Sequence, residues 1–457
     1  MSHIQQQMIP ISPLLALYLA IFMAGVVLEL ALTRMNVRHL KKYGHTVPDP
    51  FKGYIDHEKL SKITDYTVEN QNFGIFASCI SNAFFLFVIL SGLLPWFLSL
   101  IEGLGVGIIA SGMVFFAALA VVQTFVSLPF NYYRTFIIEQ RYGFNTSTLK
   151  IWVADIVKGL VVGSIIGGIL LFAVLLLIEH GGALWWLWAW FIFFAFQLLL
   201  LIIYPTVIAP WFNKFYPLED EALEAKVKDI MVRGGLSVGG VFEMDAGKRS
   251  RHTNAYFTGL AKTKRIVFFD TLLTSHSHQE IVAILAHEIG HWKKKHILKT
   301  ILLLGLFSLF MFYLASILIE WPTLFVTFGF DHVVSFVGLL LVGVLWAVAD
   351  QFLGPLGNAV SRRFEREADS YAAGLLQGTS DLANALKGMA RENLSNLYPH
   401  PLYACFYYSH PALLERIRYL DAMARAKEAT ERKIPKPSSH SGQDFDQQSV
   451  IWPHELH

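Results

Sequence analysis

Two histidines and a glutamate in the stretch His287-Glu288-Ile289-Gly290-His291 have the residue types and the spacing of a metal-dependent hydrolase. Residues four apart on an α-helix project from the same face, so both imidazoles can bind one Zn²⁺. Glu288, next to the first ligand, is placed to act as general base on an attacking water and then to pass the proton to the leaving amine. The pattern predicts a zinc peptidase, and it requires a third ligand.

The third ligand is predicted in the acidic stretch after the last apolar segment. Asp369 lies one helical turn after Glu365, so Glu365 can bind the metal while Asp369 accepts a hydrogen bond from a ligand histidine and fixes its orientation. Glu367 is the alternative ligand, but it faces another side of the helix and has Tyr371 instead of a carboxylate one turn later. A second alternative is a solvated face on which these carboxylates pair with neighbouring arginines. Three further histidines lack a partner at a chelating spacing and are expected at surfaces or interfaces: His276, His278 and His296.

Both halves of this site must be positioned by helices that cross a membrane. The 457-residue chain is 54% hydrophobic and only 16% charged, whereas soluble domains have about 25% charged residues. Seven apolar stretches are long enough to cross a hydrocarbon core of about 30 Å as helices. They lie near 12–32, 74–98, 105–128, 157–178, 184–208, 297–319 and 331–354. The sequence therefore predicts an all-α integral membrane protein with seven transmembrane helices.

The distribution of basic residues predicts which side of the membrane carries the site. All 37 Lys and Arg residues lie in the connections, the tail or the span entrances of one side, and the opposite loops have none. Because basic loops stay in the cytoplasm, the N-terminus is predicted on the non-cytoplasmic side, and the C-terminus and the zinc site on the cytoplasmic side. Basic residues follow the first apolar stretch instead of preceding it, so we interpret 12–32 as a span and not as a signal peptide. A bacterial inner membrane and a eukaryotic endoplasmic reticulum are both compatible with this pattern.

The chain is predicted to have five parts. Residues 1–208 contain spans one to five, 209–296 form a cytoplasmic segment, 297–354 contain spans six and seven, 355–427 form cytoplasmic helices, and 428–457 form a polar tail that we expect to be disordered. Three short strands are predicted in the second part, at 241–245, 255–259 and 265–270. The last two strands should form a hairpin. A helix from about Gln279 is predicted to carry the HExxH motif and to run into the sixth span.

Other functions and other metal chemistries receive little support. A net charge of +2 without a long basic run argues against nucleic-acid binding. The two cysteines, Cys79 and Cys405, cannot form a disulfide framework or a cysteine-based metal site. A seven-helix transporter or receptor is the alternative from another class, since the spans contain polar residues such as Asn82, Gln123 and Gln197. Transporters usually contain internal repeats and charged residues at the midplane, and neither is evident in this sequence.

Several separated motifs, in this order along the chain, resemble a known family. They are IEQRYGFN at 138–145, HEIGHW at 287–292, NAVSRRFEREAD at 358–369 and YSHPALLERI at 408–417. These motifs and the seven-span layout are similar to the type I CAAX prenyl proteases, membrane zinc endopeptidases first known for a-factor maturation. The resemblance implies a ring of seven transmembrane helices around a large hydrated chamber, with a gluzincin-like site for one Zn²⁺ at its cytoplasmic end.

The resemblance also assigns roles to individual residues. Carried over by motif, it implies His287, His291 and Glu365 as ligands, Glu288 as the base and Asp369 as the partner of a ligand. His410 and Arg416 would lie near the zinc, where they could stabilise the tetrahedral oxyanion. Without the resemblance, the same stretch is typical of an ordinary helix start, with Ser409 as the cap and Pro411 in the first turn.

Asn254 and Ala255 resemble the beginning of the family's edge strand, which binds an extended peptide by main-chain pairing. On this interpretation Asn254 anchors the substrate backbone. The implied substrates are prenylated C-a-a-X proteins, from which the last three residues are removed. Expected partners are therefore a peptide or protein with a lipidated C-terminus and membrane lipid; the oligomeric state stays open, and a monomer is compatible. A general quality-control protease for membrane proteins, with the same chemistry, is the alternative function.

Overall fold

The structure, a computed structural model, describes residues 9–236, 239–258 and 265–433. The amino-terminal half is helical. Its helices are α1 (Pro13–Tyr43), α2 (His57–Leu90), α3 (Leu93–Glu102), α4 (Ile108–Tyr133), α5 (Gln140–Tyr142), α6 (Leu149–His180), α7 (Trp185–Ile203) and α8 (Ala209–Phe212).

The second half combines a small sheet with helices. Its elements are β1 (Phe215–Pro217), α9 (Glu221–Arg233), β2 (Val241–Met244), β3 (Ala255–Thr258), β4 (Arg265–Phe269), α10 (Asp270–Ser275), α11 (His278–Lys293), α12 (His296–Leu318), α13 (Pro322–Thr327), α14 (Ser335–Leu375), α15 (Ser380–Glu392), α16 (Pro401–Tyr407) and α17 (Leu413–Lys433).

Seven helical segments in the described ranges are long and apolar enough to cross a membrane, which confirms the predicted number of spans. They are Pro13–Tyr43, His57–Leu90, Ile108–Tyr142, Leu149–His180, Gly182–Phe212, His296–Leu318 and Ser335–Leu375. The second span differs from its predicted limits of 74–98. Gly92, with φ of 74°, ends the run of α2 and begins the separate helix α3, because glycine enters this left-handed conformation without steric cost.

The spanning helices do not pack into a solid bundle. Protein buries only 6% of the most apolar window of α2, compared with 33% of that of α14. Most residues of α2 therefore keep part of their surface free of protein contact. The predicted ring around a hydrated chamber requires this arrangement, because its helices face lipid outside and the chamber inside.

A four-stranded sheet in the order β1-β2-β4-β3 follows the fifth span. Strand β2 runs parallel to β4, and β3 pairs antiparallel with β4. The predicted hairpin is therefore confirmed, although its loop at 259–264 lies outside the described residues. Strand β1 was not predicted, because three residues are too few to produce a recognisable alternation. Strand β3 lies at one edge of the sheet.

One apolar core joins the sheet to the extramembrane helices. Its buried side chains come from α9, β4, α11, α15 and α17 and include Val227, Phe268, Ile281, Ala286, Leu386 and Leu420. Burial of one large apolar side chain contributes about 1.5–3 kcal/mol. This core holds one face of α11 in place, so that the opposite face is presented at a defined angle.

Helix α11 begins and ends at sharply defined residues. Its start is a capping box, in which the Glu280 N–H donates to Ser277 Oγ and the Ser277 N–H donates to the Glu280 carboxylate. Its end precedes Lys295, whose φ of 55° is left-handed, and α12 begins at His296. The prediction of one continuous helix into the sixth span is therefore wrong, because the left-handed residue turns the chain between the two helices.

The carboxyl-terminal helix α17 continues to Lys433. It thus covers the first six positions of the tail that we expected to be disordered from residue 428. The rest of the predicted tail lies outside the described residues.

Helices α11 and α14 approach each other closely at Gly290. A Cβ atom at this position would lie 2.9 Å from both the Cα and the carbonyl oxygen of Ala368. Real Cβ atoms do not come so close to a neighbouring backbone. Any larger residue at position 290 therefore separates the two helices.

The substitution Gly290→Ala should lower the thermal unfolding midpoint of the protein in detergent, because overpacking of this kind costs about 1–3 kcal/mol. Gly374→Ala, on α14, is the matched control, since nothing lies within 4 Å of its added Cβ. That control should unfold at or above the wild-type midpoint, because alanine is the better helix former. A Gly290→Ala protein as stable as wild type would contradict the close approach.

Candidate metal centre

The two histidines of the HExxH motif face each other on α11. Their Nε2 atoms lie 3.1 Å apart, and the ring centroids are separated by 4.8 Å. His287 is buried and His291 is partly buried. The four-residue spacing places both rings on the face of α11 that is turned toward α14, so both Nε2 atoms point to a common position.

Glu365 on α14 completes the cluster. Its Oε2 atom lies 3.3 Å from His287 Nε2, and its Oε1 atom lies 3.2 Å from His291 Nε2. Three ligands at about 2.0–2.2 Å from a tetrahedral zinc ion are separated by roughly 3.3–3.6 Å. The separations in the structure are close to these values, and His287, His291 and Glu365 form the one group of potential metal ligands found in the described ranges.

The environment of the Glu365 carboxylate also fits a metal. The Oε2 atom is buried, and none of the described residues provides a hydrogen bond to it. A buried anionic oxygen without a partner is costly. A cation at this position removes that cost, so the donor set suits a divalent metal.

Asp369 holds the other side of the His287 ring. Its Oδ1 atom lies 2.8 Å from His287 Nδ1, one turn after Glu365 on α14. The Nδ1–H group therefore donates to the carboxylate, and Nε2 points at the cluster. Without a metal, burial opposes the charged form of His287, but the adjacent Asp369 and Glu365 carboxylates outweigh it and raise the pKa of this imidazole to about 9. A metal would have to displace the proton on Nε2 before its lone pair could bind.

Arg416 pairs with Asp369 inside the protein. Its Nε donates to Asp369 Oδ2 at 2.9 Å and its Nη2 donates to Oδ1 at 2.6 Å, while both side chains are buried. Burial opposes the charge of Arg416, but the neighbouring carboxylates, Asp369 first, raise its pKa. Its Nη1 lies 3.7 Å from Glu365 Oε2. The guanidinium group thus interacts with both carboxylates and can hold them in position. The sequence analysis did not anticipate this positioning role.

His410 reaches the cluster from the loop before α17. Its Nε2 lies 3.3 Å from Glu365 Oε1, and its side chain is 61% exposed. Helix α17 begins at Leu413, two residues after Pro411, so Ser409 is not its cap. The alternative interpretation of this stretch as a helix start capped by Ser409 is therefore wrong.

Glu367, the alternative ligand, points away from the cluster. Its Oε2 lies 3.1 Å from His296 Nε2, and its Oε1 accepts a hydrogen bond from Arg363 Nε at 3.1 Å. The structure therefore brings Glu365, and not Glu367, to the two histidines. The carboxylates do not all form the solvated face that was considered as an alternative, because Glu365 and Asp369 are buried.

Two of the three remaining histidines differ from expectation. His276 and His296 were expected at surfaces or interfaces, but both are buried. Burial lowers the pKa of His276. His278 is partly exposed and lies 2.9 Å from the carboxylate of Asp220. Spacing along the sequence could not reveal this burial, since it depends on helices distant in the chain.

Asn254 and Ala255 lie where the edge strand of the sheet begins. Asn254 is exposed, and its carbonyl accepts a hydrogen bond from Phe269 N–H at 3.1 Å. Among the described strands, β3 pairs with β4 alone. The ring of Phe257, on β3, lies 5.6 Å from that of Trp292, which follows the second histidine of the motif. The edge strand therefore runs beside the helix that carries the motif.

A polar contact that sequence reasoning missed fixes the chain just before β3. The Thr253 N–H donates to Asn393 Oδ1 at 2.8 Å, and the Asn393 amide donates to the Thr253 carbonyl at 3.1 Å. His252 stacks on Phe144 at 3.8 Å and lies 3.2 Å from Glu139. The IEQRYGFN segment, noted only for its resemblance, thus contributes to the position of the edge strand.

Two family models match this chain. One is described as CAAX prenyl protease N-terminal, five membrane helices, and matches residues 36–214; the other is peptidase family M48 and matches residues 217–424. CAAX prenyl protease 1 of Saccharomyces cerevisiae is 34% identical over 422 residues, which are 86% of this chain and 92% of the yeast protein. The CAAX prenyl protease 1 homolog of Arabidopsis thaliana is 34% identical over 82% of this chain and 90% of its own length.

The fold has a counterpart among solved structures. The crystal structure of S. mikatae Ste24p matches with a TM-score of 0.85 at 32% identity and covers 90% of this chain and 100% of that chain. At this similarity the order of spans, sheet and extramembrane helices is shared.

Asp369→Asn should weaken metal binding about 10- to 100-fold, because the amide cannot balance Arg416 or hold the ligand histidine as a carboxylate does. Competition with a chromophoric chelator on the metal-free protein measures this affinity. Asp421→Asn, at an exposed position on α17, is the control and should leave the affinity unchanged. Equal affinities for all three proteins would exclude the role given to Asp369.

Proposed function

This chain belongs to the CAAX prenyl protease family of M48 metallopeptidases, and from that premise we propose that it removes the last three residues of prenylated C-a-a-X proteins as a membrane-embedded zinc endopeptidase. Family membership excludes the transporter or receptor alternative. The observation that carries the proposal is the convergence of His287, His291 and Glu365, from α11 and from the helix that continues the seventh span.

This donor set suits zinc, and we expect one zinc ion per chain. Two imidazoles and one carboxylate are the ligands of a catalytic zinc with an open position. Zinc bound there supplies a Lewis acid that makes water more acidic and polarises the scissile carbonyl. Asp369 and Arg416 keep the His287 lone pair directed at the metal position.

Glu288 acts as the general base. It follows His287 on α11 and is partly buried, and its charge helps to raise the pKa of Arg416, so it is close to the cluster without being one of the three potential ligands. It takes a proton from the attacking water as the new C–O bond forms, and it gives that proton to the amine as the C–N bond breaks. His410, exposed beside Glu365, is placed to donate a hydrogen bond to the oxyanion, and Arg416 adds positive charge at 3.7 Å from the Glu365 carboxylate.

Strand β3 provides the binding surface for the peptide. An extended substrate can add to the free edge of β3 by main-chain hydrogen bonds, starting at Asn254 and Ala255. Extension also exposes the scissile carbonyl, which a helical or folded peptide would shield. The polar contacts between Thr253 and Asn393 hold the beginning of this edge in place.

The site faces the cytoplasm in this proposal, and the N-terminus lies on the other side. Support comes from the basic residues, all of which lie on the side of the membrane that carries the metal cluster. A lipidated C-terminus is a suitable substrate for such a site, because its isoprenoid can stay in the bilayer while the peptide reaches the chamber.

Glu288→Gln should retain zinc and lose at least about 100-fold in turnover, since a positioned general base contributes about 10²–10⁴-fold. Zinc content and cleavage of a farnesylated peptide are measured on the same purified sample. Glu224→Gln, on α9, serves as the control, because the Glu224 carboxylate pairs with Lys228 and not with any residue of the cluster. Full cleavage by Glu288→Gln would contradict the mechanism.

The C-a-a-X assignment predicts that turnover depends on the lipid. The same peptide with and without its farnesyl group, compared by kcat/KM, should differ in favour of the farnesylated form. Equal values would instead favour the general quality-control protease, which has no reason to require an isoprenoid.

A further inference from the structure

The two ligand histidines need support on the side away from the metal. Asp369 provides it for His287, as described above. For His291 the corresponding atom is Nδ1, and the structure places the Nδ1 atom of His296 3.1 Å from it. The two rings are 5.1 Å apart at an angle of 75°. A histidine thus occupies the place behind His291 that a carboxylate occupies behind His287.

The backbone is built to bring His296 to this place. On a continuous helix, a residue five positions after His291 would be rotated by roughly 140° around the axis. Lys295 interrupts the helix with its left-handed φ of 55°, so the first residue of α12 turns back toward the end of α11. The same left-handed residue that contradicted the predicted continuous helix therefore creates the contact.

His296 is itself held on its remaining sides. It is only 3% exposed, and its ring stacks on that of Phe364 at 4.2 Å and 9°. Its Nε2 lies 3.1 Å from Glu367 Oε2, and the other oxygen of Glu367 accepts from Arg363. Lys299 Nζ lies 3.8 Å from the same carboxylate. The ring is therefore fixed by stacking, and its orientation is fixed by a charged acceptor.

One arrangement of protons satisfies all these contacts. His291 Nε2 faces Glu365 and His287 and must present a lone pair to a metal, so its proton lies on Nδ1. That N–H donates to His296 Nδ1, which accepts only if the proton of His296 lies on Nε2. The Nε2–H group then donates to Glu367. In this series of hydrogen bonds, each N–H group faces an accepting nitrogen or oxygen atom.

We propose that His296 and Glu367 form a relay that positions the second ligand histidine, with His296 fixing the tautomer and ring orientation of His291. Glu367, considered as a ligand from the sequence, acquires a role two steps removed from the metal. Outer partners of this kind change metal affinity by about 10- to 100-fold when removed. The inference rests on the metal site of the proposed function.

His296→Phe is the direct test, because phenylalanine keeps the ring stacked on Phe364 and removes both nitrogens. Chelator competition on the metal-free, full-length protein in detergent should give a zinc affinity 10- to 100-fold below wild type. The visible spectrum of the cobalt(II) form should change as well. His296→Gln, whose amide oxygen can accept from His291, should restore part of the affinity.

A second variant acts from the outer end of the relay. Glu367→Leu should weaken zinc binding in the same way, and Glu367→Gln should have a smaller effect because its amide oxygen still accepts from His296. The double variant His296→Phe/Glu367→Leu should be no weaker than His296→Phe alone, since the two residues act in series. Additive losses would overturn the relay.

His276→Phe is the matched control, because it removes another buried histidine that lies outside the cluster. It should bind zinc as wild type does. The proposal is overturned if His296→Phe matches this control in both zinc affinity and cobalt spectrum. If His296→Phe does not fold, Glu367→Leu with wild-type zinc affinity overturns it equally. A wild-type protein that binds no zinc would instead refute the metal site itself.

Discussion

The contact between α11 and α14 at Gly290 and Ala368 determines the geometry of the whole site. Two ligands lie on one helix and the third on the other, so the distance between the helix axes sets the size of the cluster. Glycine allows a backbone approach that any side chain would prevent. Helix α11 is anchored in the extramembrane core, whereas α14 extends from the seventh span. Their contact therefore connects the seventh span to the core that contains the sheet.

Buried charge is balanced around this contact. Glu365 and Asp369 bring two carboxylates into the interior. Arg416 contributes one positive charge and donates two hydrogen bonds to the Asp369 carboxylate. A buried charge is tolerated when it is paired and hydrogen-bonded. When His287 is neutral, as a metal ligand must be, the remaining negative charge lies on Glu365, whose Oε2 has no hydrogen bond from the described residues. A divalent cation complements this arrangement, and the side chain of His410 beside it is 61% exposed.

Local periodicity was enough to predict the helices that carry the site and three of its contacts. These contacts join the two histidines of the motif to each other, to Glu365 and to Asp369. The four-residue spacing of the histidines placed them on one face of α11, and the turn from Glu365 to Asp369 favoured Glu365 over Glu367, which agrees with the distances in the structure. The seven apolar stretches predicted the spanning helices, although Gly92 divides the predicted second span and Lys295 separates α11 from the sixth span. Those two residues could not be identified from the sequence, because the backbone conformation of each depends on the helices that it connects.

Contacts between distant segments were beyond the reach of the sequence. Arg416 lies 47 positions from Asp369, and nothing in its own helix indicates that it turns inward and pairs with that carboxylate. His296 was expected at a surface or interface because it has no chelating spacing, yet its buried place behind His291 follows from a single turn of the chain. The family resemblance predicted that His410 and Arg416 lie near the site. It did not predict that Arg416 pairs with Asp369.

The most direct test of the account is zinc X-ray absorption spectroscopy of the purified protein, wild type against Glu365→Gln. Wild type should contain one zinc ion with nitrogen and oxygen neighbours at about 2.0–2.2 Å, including the outer-shell signals of two imidazoles. Glu365→Gln should lose the metal or show a changed coordination shell. Sulfur neighbours in wild type, or an identical shell and full zinc content in Glu365→Gln, would contradict the assignment of His287, His291 and Glu365 as the metal centre.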